Sequence, residues 1–256
     1  MGRRLGQHFL SDPSILDRIV EALAPTLHDT VIEIGPGRGS LTRRLAARVG
    51  RVVAIERDPR LVEAMVEAAL PSVEVVEGDA LAVDWHRTVQ GPFKVLGNIP
   101  YYITSPLIDK ALEAPRPVCI VFLMQREVGE RLAADPGRKA YGALTVGVQV
   151  LARVERLFVV PAGAFRPPPA VDSAVVRLTP LATPLVADAR RRAFREFTQA
   201  LFSRRRKQLG GTLRAITGRE PDQVATFLAG LGAAPAARPE TLSPKAFVAM
   251  FEWAQP

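Results

Sequence analysis

The segment TVIEIGPGRGSLT, residues 30–42, decides the fold. Residues 30–35 are mostly apolar and β-branched, which predicts a buried strand, and residues 40–49 follow the spacing of a helix. Gly35, Gly37 and Gly39 lie between them. A glycine-rich turn lets a ligand approach the backbone, and the following helix offers unpaired N–H groups. The segment therefore predicts a ligand site at the carboxyl edge of a sheet, with a tight connection that binds nothing as the alternative.

Strand and helix patterns alternate on both sides of this segment. A helix is predicted over residues 11–24, and further helices over 59–70 and 104–114. Strands are predicted over 51–56, 73–78, 93–98, 117–124, 154–160 and 173–180, whereas residues 141–150 fit either a helix or a strand. Apolar strands that alternate with helices predict an α/β fold with a parallel sheet covered on both faces.

The pattern changes at TPLATPLVADA, and we place a domain boundary near residue 181. Helices are predicted over residues 190–209, 221–232 and 243–254. The sequence thus predicts an α/β domain over residues 1–180, which is followed by a small all-α domain over residues 181–256.

The composition describes an ordinary soluble protein of 256 residues, 48% of them hydrophobic and 23% charged. It contains neither an apolar run of 18 residues nor an export signal, so we expect a cytoplasmic protein without a membrane partner. Cys119 lies in an apolar run, which favours core packing. His8, His28 and His86 do not have metal-ligand spacing, and no metal site is expected.

A formal net charge of +8 favours nucleic acid or another polyanion as a partner, with simple solubility as the alternative. The densest basic cluster is SRRRK, residues 203–207. Its Arg204, Arg205, Arg206 and Lys207 span more than one face of the predicted helix and could neutralise RNA phosphates. A solvated basic surface is the alternative.

The glycine spacing helps to choose between two cofactors. Dinucleotide-binding turns follow G-x-G-x-x-G, whereas Gly35, Gly37 and Gly39 give G-x-G-x-G. Glu56 ends the second strand, where a carboxylate can accept hydrogen bonds from ribose hydroxyls, and Asp79 after the third strand could contact an adenine amino group. These features favour S-adenosylmethionine over NAD, although both acids could instead cap helices.

The segment LGNIPYYITSP, residues 96–106, follows the fourth strand. The exocyclic amine of adenine is a poor nucleophile, and two hydrogen-bond acceptors could hold its protons and direct its lone pair. The side-chain oxygen of Asn98 and the carbonyl of Pro100 are suitable acceptors, and Tyr101 could stack on a flipped base. The alternative is an ordinary strand-to-helix turn.

Taken together, GQHFL, EIGPGRGSLT, GDA, NIPYYITSP, QREVGERL and FRPPPAVDSAVVRL resemble the ribosomal RNA adenine N6-dimethyltransferases. The resemblance implies a Rossmann-like, S-adenosylmethionine-dependent methyltransferase domain. It implies that His8 and Leu10 contact the cofactor. The family's other cofactor-contacting positions are matched by Gly35, Glu56, Asp79 and Asn98, and Gly37 lies in the same turn as Gly35. It also implies that Asn98, Pro100 and Tyr101 hold the target adenine and that Phe165 closes its other face.

Within this family, NIPYYITSP, the FRPPP segment and FSRRRKQL are most similar to the small-subunit (16S) rRNA branch. That branch dimethylates two adjacent adenosines near the 3′ end of the RNA. The implied partner is small-subunit rRNA in a pre-30S particle rather than DNA, and we expect a monomer. The alternatives are a large-subunit methyltransferase of the macrolide-resistance type and a non-catalytic assembly factor, although an intact NIPY motif argues against the latter.

Overall fold

The computed structural model describes residues 8–204 and 207–255, which form two compact units. Unit 1 contains the residues up to Gly129 and Val154–Pro180, and unit 2 contains Glu130–Arg153 and the residues from Leu181 onward. The boundary between the units along the chain is therefore not a single position near residue 181, because Glu130–Arg153 belongs to the same unit as the C-terminal helices. A functional division at residue 181 stays a prediction.

Unit 1 is built on a seven-stranded sheet and a short two-stranded ladder. The strands are β1 Phe9–Leu10, β2 Thr30–Ile34, β3 Arg51–Glu56, β4 Val73–Glu77, β5 Lys94–Asn98, β6 Cys119–Gln125, β7 Ala152–Val160, β8 Phe165–Arg166 and β9 Ser173–Pro180. The large sheet has the order β4-β3-β2-β5-β6-β9-β7. Strands β2 to β6 are parallel as predicted, but β9 runs antiparallel to β6, so the sheet is mixed.

The helices that follow the strands are α1 Pro13–Ala22, α2 Thr42–Ala46, α3 Pro59–Glu67, α4 Trp85–Thr88, α5 Thr104–Ala111 and α6 Arg126–Leu132, with a 3₁₀ turn over Tyr101–Ile103. The helices α1 and α3 begin in the same way. The carboxylate of Asp12 accepts the N–H groups of Ser14 and Ile15, and Asp58 accepts the N–H of Arg60. A proline at the first helical position completes both starts.

The core of unit 1 fixes where the strands end. Val31, Ile32, Val52 and Val95 are fully buried, and complete burial of such a side chain contributes about 1.5–3 kcal/mol. In the register between β2 and β5, Ile34 is opposite Gly97. The glycine-rich turn and the NIPY segment therefore leave neighbouring strands at the same edge of the sheet.

Unit 2 contains the helices α7 Ala143–Gln149, α8 Arg191–Ser203, α9 Leu209–Thr217, α10 Pro221–Gly230 and α11 Pro244–Ala254, with 3₁₀ turns over Asp188–Arg190 and Pro239–Thr241. Aromatic side chains of α8 and α11 pack together: Phe194 meets Phe251 edge to face, and Phe202 stacks on Phe247 with ring centroids 5.3 Å apart. Such pairs add about 0.5–1.5 kcal/mol beyond area burial.

The predicted helix over residues 190–209 is wrong in its last part. Helix α8 ends at Ser203, and a separate helix, α9, begins at Leu209. The ambiguous residues 141–150 form helix α7. Among the described residues, none of the helices is long and apolar enough to cross a membrane.

Candidate active site

A cavity of about 350 Å³ opens at the carboxyl edge of the sheet in unit 1, within the usual size range of small-molecule sites. The residues that line it include these predicted ones: His8, Leu10, Gly35, Gly37, Glu56, Asn98, Pro100, Tyr101 and Phe165. The structure thus brings the predicted cofactor and adenine positions to one cavity, with the exception of Asp79.

The glycine-rich turn leaves backbone exposed in the cavity. Gly35 and Gly37 have φ angles of +63° and +58°, which favour glycine. A Cβ on Gly37 would lie 3.0 Å from Cε1 of Phe9. The N–H of Gly35 donates to the Ile55 carbonyl at 3.0 Å, which joins this turn to β3. The turn is therefore a bare backbone surface that a side chain would fill.

Glu56 is buried at the end of β3 and holds this turn in place. Its Oε2 accepts the N–H of Gly37 at 3.1 Å, and its Oε1 accepts the N–H groups of Arg57 and Asp58 at 2.8 and 2.9 Å. Asp58 rather than Glu56 caps α3. Glu56 lines the cavity, and its contact with a ribose stays a prediction.

Asp79 differs from the other predicted cofactor residues because it does not line the cavity. Its Oδ1 accepts the N–H of Leu81 at 2.9 Å, and its Oδ2 lies 3.4 Å from Nη1 of Arg57. The first of these contacts is a local turn and not a helix cap, since the next helix, α4, is capped by Asp84. A contact between Asp79 and adenine stays a prediction.

Asn98 and Pro100 present acceptors at the end of β5. The Asn98 Nδ2 donates to the carbonyl of His8 at 3.0 Å, so the amide oxygen Oδ1 is left as an acceptor. The carbonyl of Pro100 accepts the N–H of Ile103 at 3.1 Å and keeps a second lone pair. The N–H of Ile99 donates to the Leu123 carbonyl at 3.0 Å, which fixes the backbone between the two acceptors.

The ring of Tyr101 is held from two sides. Its hydroxyl is 2.8 Å from Oγ of the buried Ser173. Its ring stacks with His8 at a centroid distance of 6.3 Å, and the His8 Nδ1 lies 2.9 Å from the Pro167 carbonyl. Both contacts restrict the rotation of the Tyr101 ring. An aromatic ring fixed in this way at a cavity wall is suited to stacking.

The ladder of β1 and β8 joins the N-terminal segment to the FRPPP loop. Leu10 is opposite Phe165 in this antiparallel pair, and Phe165 is only 1% exposed. Sequence patterns did not predict these strands, because each has only two residues. Phe165 lines the cavity but also packs in the core, and its stacking role stays a prediction.

Glu33 also lines the cavity, and our sequence analysis did not select it. It is 1% exposed, and among the described residues its Oε2 has no hydrogen-bond partner. Burial raises the pKa of Glu33 to about 7, and the charge of Glu56 adds to this effect. The sequence did carry a signal, since Glu33 is the one charged residue in an otherwise apolar strand.

The cavity suits S-adenosylmethionine, which carries a sulfonium, an ammonium and ribose hydroxyls but no phosphate. The unpartnered carboxylate of Glu33 suits a cation, and the bare turn at Gly35 and Gly37 allows close approach. Arg38 lines the cavity, and its guanidinium lies 4.7 Å from the Phe9 ring centroid. Among the described residues, groups of three or more potential metal ligands do not occur.

Of the basic cluster, Arg204 and Lys207 are described, and both lie outside the helices. Arg204 is the residue that follows α8, and the N–H of Lys207 donates to its carbonyl at 2.7 Å. Arg205 and Arg206 lie outside the described residues. The helix predicted for Arg204 and Lys207 is therefore wrong, and the RNA contacts of the cluster stay a prediction.

The sheet order, the glycine-rich turn and the carboxylate at the end of β3 define an S-adenosylmethionine-dependent methyltransferase. Residues 2–255 match the family described as "Ribosomal RNA adenine dimethylase". The chain belongs to this family and is an S-adenosylmethionine-dependent rRNA adenine dimethyltransferase, which confirms the resemblance identified from the motifs.

Relatives and solved structures agree with this assignment. The chain is 42% identical to "Ribosomal RNA small subunit methyltransferase A" of Xanthomonas campestris pv. campestris (strain B100), over 96% of this chain and 93% of that one. The protein of that name from Xanthomonas axonopodis pv. citri (strain 306) is 45% identical, over 84% and 83%.

Two solved structures share the fold with a TM-score of 0.80 each. One is a dimethyladenosine transferase from Plasmodium falciparum, which is 28% identical over 95% of this chain and 96% of that one. The other is the 23S rRNA methyltransferase ErmE, which is 32% identical over 95% and 98%. The expected α/β sheet with C-terminal helices is thereby confirmed.

Proposed function

We propose that this enzyme dimethylates N6 of two adjacent adenosines near the 3′ end of small-subunit (16S) rRNA. The observation that carries this proposal is 42% identity over 96% of the chain to an enzyme named for the small subunit. The presence of both proposed acceptors, Asn98 and Pro100, in the cavity supports catalysis over a purely structural role in ribosome assembly.

The chemistry rests on two acceptors and a stacking ring. When bound, S-adenosylmethionine supplies a methyl group made electrophilic by its sulfonium. The Oδ1 of Asn98 and the carbonyl of Pro100 accept the two N6 protons of adenine and direct its lone pair. After transfer the amine nitrogen is positively charged and releases a proton to water, so the residues need not supply a strong base.

The target base must leave its stack to reach Asn98. Tyr101 stacks on one face of the flipped adenine, a contact worth roughly 1–3 kcal/mol. The bond of its hydroxyl to Ser173 and the contact with His8 hold the ring before the RNA arrives. Phe165 is proposed to close the other face.

We propose a monomer that acts on the small-subunit particle in the cytoplasm. Its net charge of +8 supports binding to an RNA surface. Arg204 and Lys207, with Arg205 and Arg206, supply phosphate contacts from unit 2. Folded RNA is recognised largely through its shape and its splayed-out bases, so a folded particle rather than a short oligonucleotide is the proposed substrate.

The test is methyl transfer from labelled S-adenosylmethionine to small subunits that lack the modification, with large subunits and DNA in parallel. Nucleoside digestion should yield N6-dimethyladenosine from the small subunit only. Asn98→Ala should abolish the label, whereas Glu63→Gln, an exposed change on α3, should retain it.

Two other results would change the assignment. Label in large-subunit RNA would move the enzyme to the large-subunit type, which the equal structural similarity to ErmE makes the second candidate. RNA binding without label in any substrate would indicate an assembly factor.

A further inference from the structure

Glu33 has a position in the cavity that the proposed methyl transfer does not use. It is the fourth residue of β2, and its neighbours in register are the apolar Ala54 on β3 and Leu96 on β5. Its side chain nevertheless reaches the cavity, where Oε2 lacks a hydrogen-bond partner among the described residues. A buried carboxylate without a partner is costly in its ionised form.

We propose that Glu33 carries a proton in the cofactor-free enzyme and releases it to solvent when the positively charged ammonium group of S-adenosylmethionine binds beside it, so that cofactor affinity rises with pH. The proton leaves Oε of Glu33 for the buffer, and the cofactor's positive charge replaces it as the partner of the carboxylate. The inference concerns the cofactor alone and does not depend on which RNA is methylated.

The groups around Glu33 explain why it takes up a proton. Glu56 on β3 is a second carboxylate in the same cavity, and it is already satisfied by three backbone N–H groups. The hydroxyl of Thr42 on α2 lies beside Glu33 and lowers its pKa, but burial outweighs this effect. Burial and the charge of Glu56 both raise the pKa of Glu33.

The cations near the turn have partners other than Glu33. The guanidinium of Arg38 lies over the Phe9 ring. Arg43 donates to the carbonyls of Arg38 and Gly39, and Arg44 pairs with Asp17 at 2.7 Å. The remaining titratable groups that line the cavity are His8, Tyr101 and Tyr102. In the described part of the chain, Glu33 therefore has no ion-pair partner, and a bound cation would supply one.

The test compares the wild-type enzyme with Glu33→Gln, which keeps the shape of the side chain and removes its titration. Cofactor Kd would be measured by calorimetry from pH 6 to pH 8 without RNA. A group with a pKa near 7 whose ionised form binds much more tightly raises affinity by up to about tenfold over this range. We expect the affinity ratio of wild type to variant to rise severalfold from pH 6 to pH 8 and to be smallest at pH 6.

Proton release gives a second readout. Titrations at pH 7 in phosphate and in Tris, which differ in ionisation enthalpy, should show about half a proton released by the wild type and almost none by Glu33→Gln. Ionisation of the free cofactor contributes equally to both titrations, so the difference reports on the ionisable groups at Glu33. Glu63→Gln serves as the matched control and should behave as the wild type.

An unchanged pH slope and equal proton release in Glu33→Gln would overturn the proposal and assign the titration to another cavity group. Tighter cofactor binding by the variant than by the wild type at pH 8 would also overturn it, provided that the circular dichroism of the variant matches that of the wild type. Because RNA is absent from the experiment, either result leaves the methylation test unaffected.

Discussion

At the scale of single residues, the proton on Glu33 also affects folding. Its pKa is raised from 4.5 to about 7 in the folded protein, so the folded state binds the proton more tightly than the unfolded chain. This contribution to stability is fully present below about pH 4.5 and is lost as pH rises through 7. The cofactor-free enzyme should therefore lose stability between pH 5 and pH 8.

Glu33→Gln should remove this pH dependence. Relative to the variant, the wild type should lose on the order of 2–3 kcal/mol of unfolding free energy between pH 5 and pH 8. Urea unfolding without cofactor at several pH values measures it. A constant difference between the two proteins across that range would show that Glu33 titrates normally.

Tyr101 allows the binding and reaction steps to be separated. Tyr101→Ala removes the ring that we expect to stack on adenine, so turnover should fall by about tenfold or more. Cofactor affinity should change by less than twofold, because the cofactor contacts assigned above do not include Tyr101. Methylation kinetics and cofactor calorimetry on the same protein check both parts.

Tyr101→Phe is the matched control, since it keeps the ring and loses only the hydroxyl contact with Ser173. It should retain most of the turnover. If cofactor binding collapsed in Tyr101→Ala, the division between cofactor residues and base residues would be incorrect.

Gly37 tests whether the turn must stay bare. Gly37→Ala places a Cβ 3.0 Å from the Phe9 ring at a φ of +58°, which an alanine adopts with strain. We expect cofactor affinity to fall at least tenfold. Gly91→Ala is the matched control, because its φ is +75° but a Cβ there meets nothing within 4 Å, and it should retain cofactor affinity. If both variants lost the same amount of cofactor affinity, backbone strain alone would explain the loss.

At the scale of elements, sequence patterns predicted the strands and helices whose formation depends on residues close together in the chain. The strands β2 to β6 are rich in apolar residues, and their parallel pairing follows from the helices between them. The two-residue strands β1 and β8 are 155 or more residues apart in sequence and carry no periodicity, so only the tertiary structure reveals their pairing.

The end of α8 shows a second limit of local patterns. The sequence predicts one helix over residues 190–209 because the apolar residues there recur at helical spacing. Helix α8 nevertheless ends at Ser203. Gly210, the second residue of α9, packs closely against Pro235, whose nearest atoms lie 3.2 Å from the position of a Cβ. That contact is distant in sequence and decides the packing of α9. The sequence analysis missed Glu33 because the pattern of a buried strand does not show whether a single acidic residue within it has a function.

The turn between α8 and α9 should carry part of the RNA affinity. Replacing both Arg204 and Lys207 by Gln removes two phosphate contacts, so the slope of log K against log salt should become shallower by about 1.5–2. Filter binding to small-subunit rRNA at several salt concentrations measures this slope. Arg192→Gln, which lies at the start of α8 and is 93% exposed, is the control for general charge. An equal change in that control would indicate non-specific attraction.

At the scale of the whole molecule, the proposed cofactor and RNA contacts fall in different compact units. Every described residue that lines the cavity belongs to unit 1, including the residues proposed to bind the cofactor and the base. The proposed phosphate contacts belong to unit 2. The sequence order hides part of this division, since Glu130–Arg153 interrupts unit 1 and belongs to the helical unit.

Hydrogen exchange on the full chain should show this division directly. Addition of the cofactor should protect the amides of the turn at residues 35–41 and of residues 96–103, because a bound ligand stabilises the segments that it contacts. The helices α9 to α11 should exchange at an unchanged rate. Addition of small-subunit rRNA without cofactor should instead protect the turn between α8 and α9. Strong protection of α9 to α11 by the cofactor alone would contradict the division, because it would show that the cofactor stabilises both units as one.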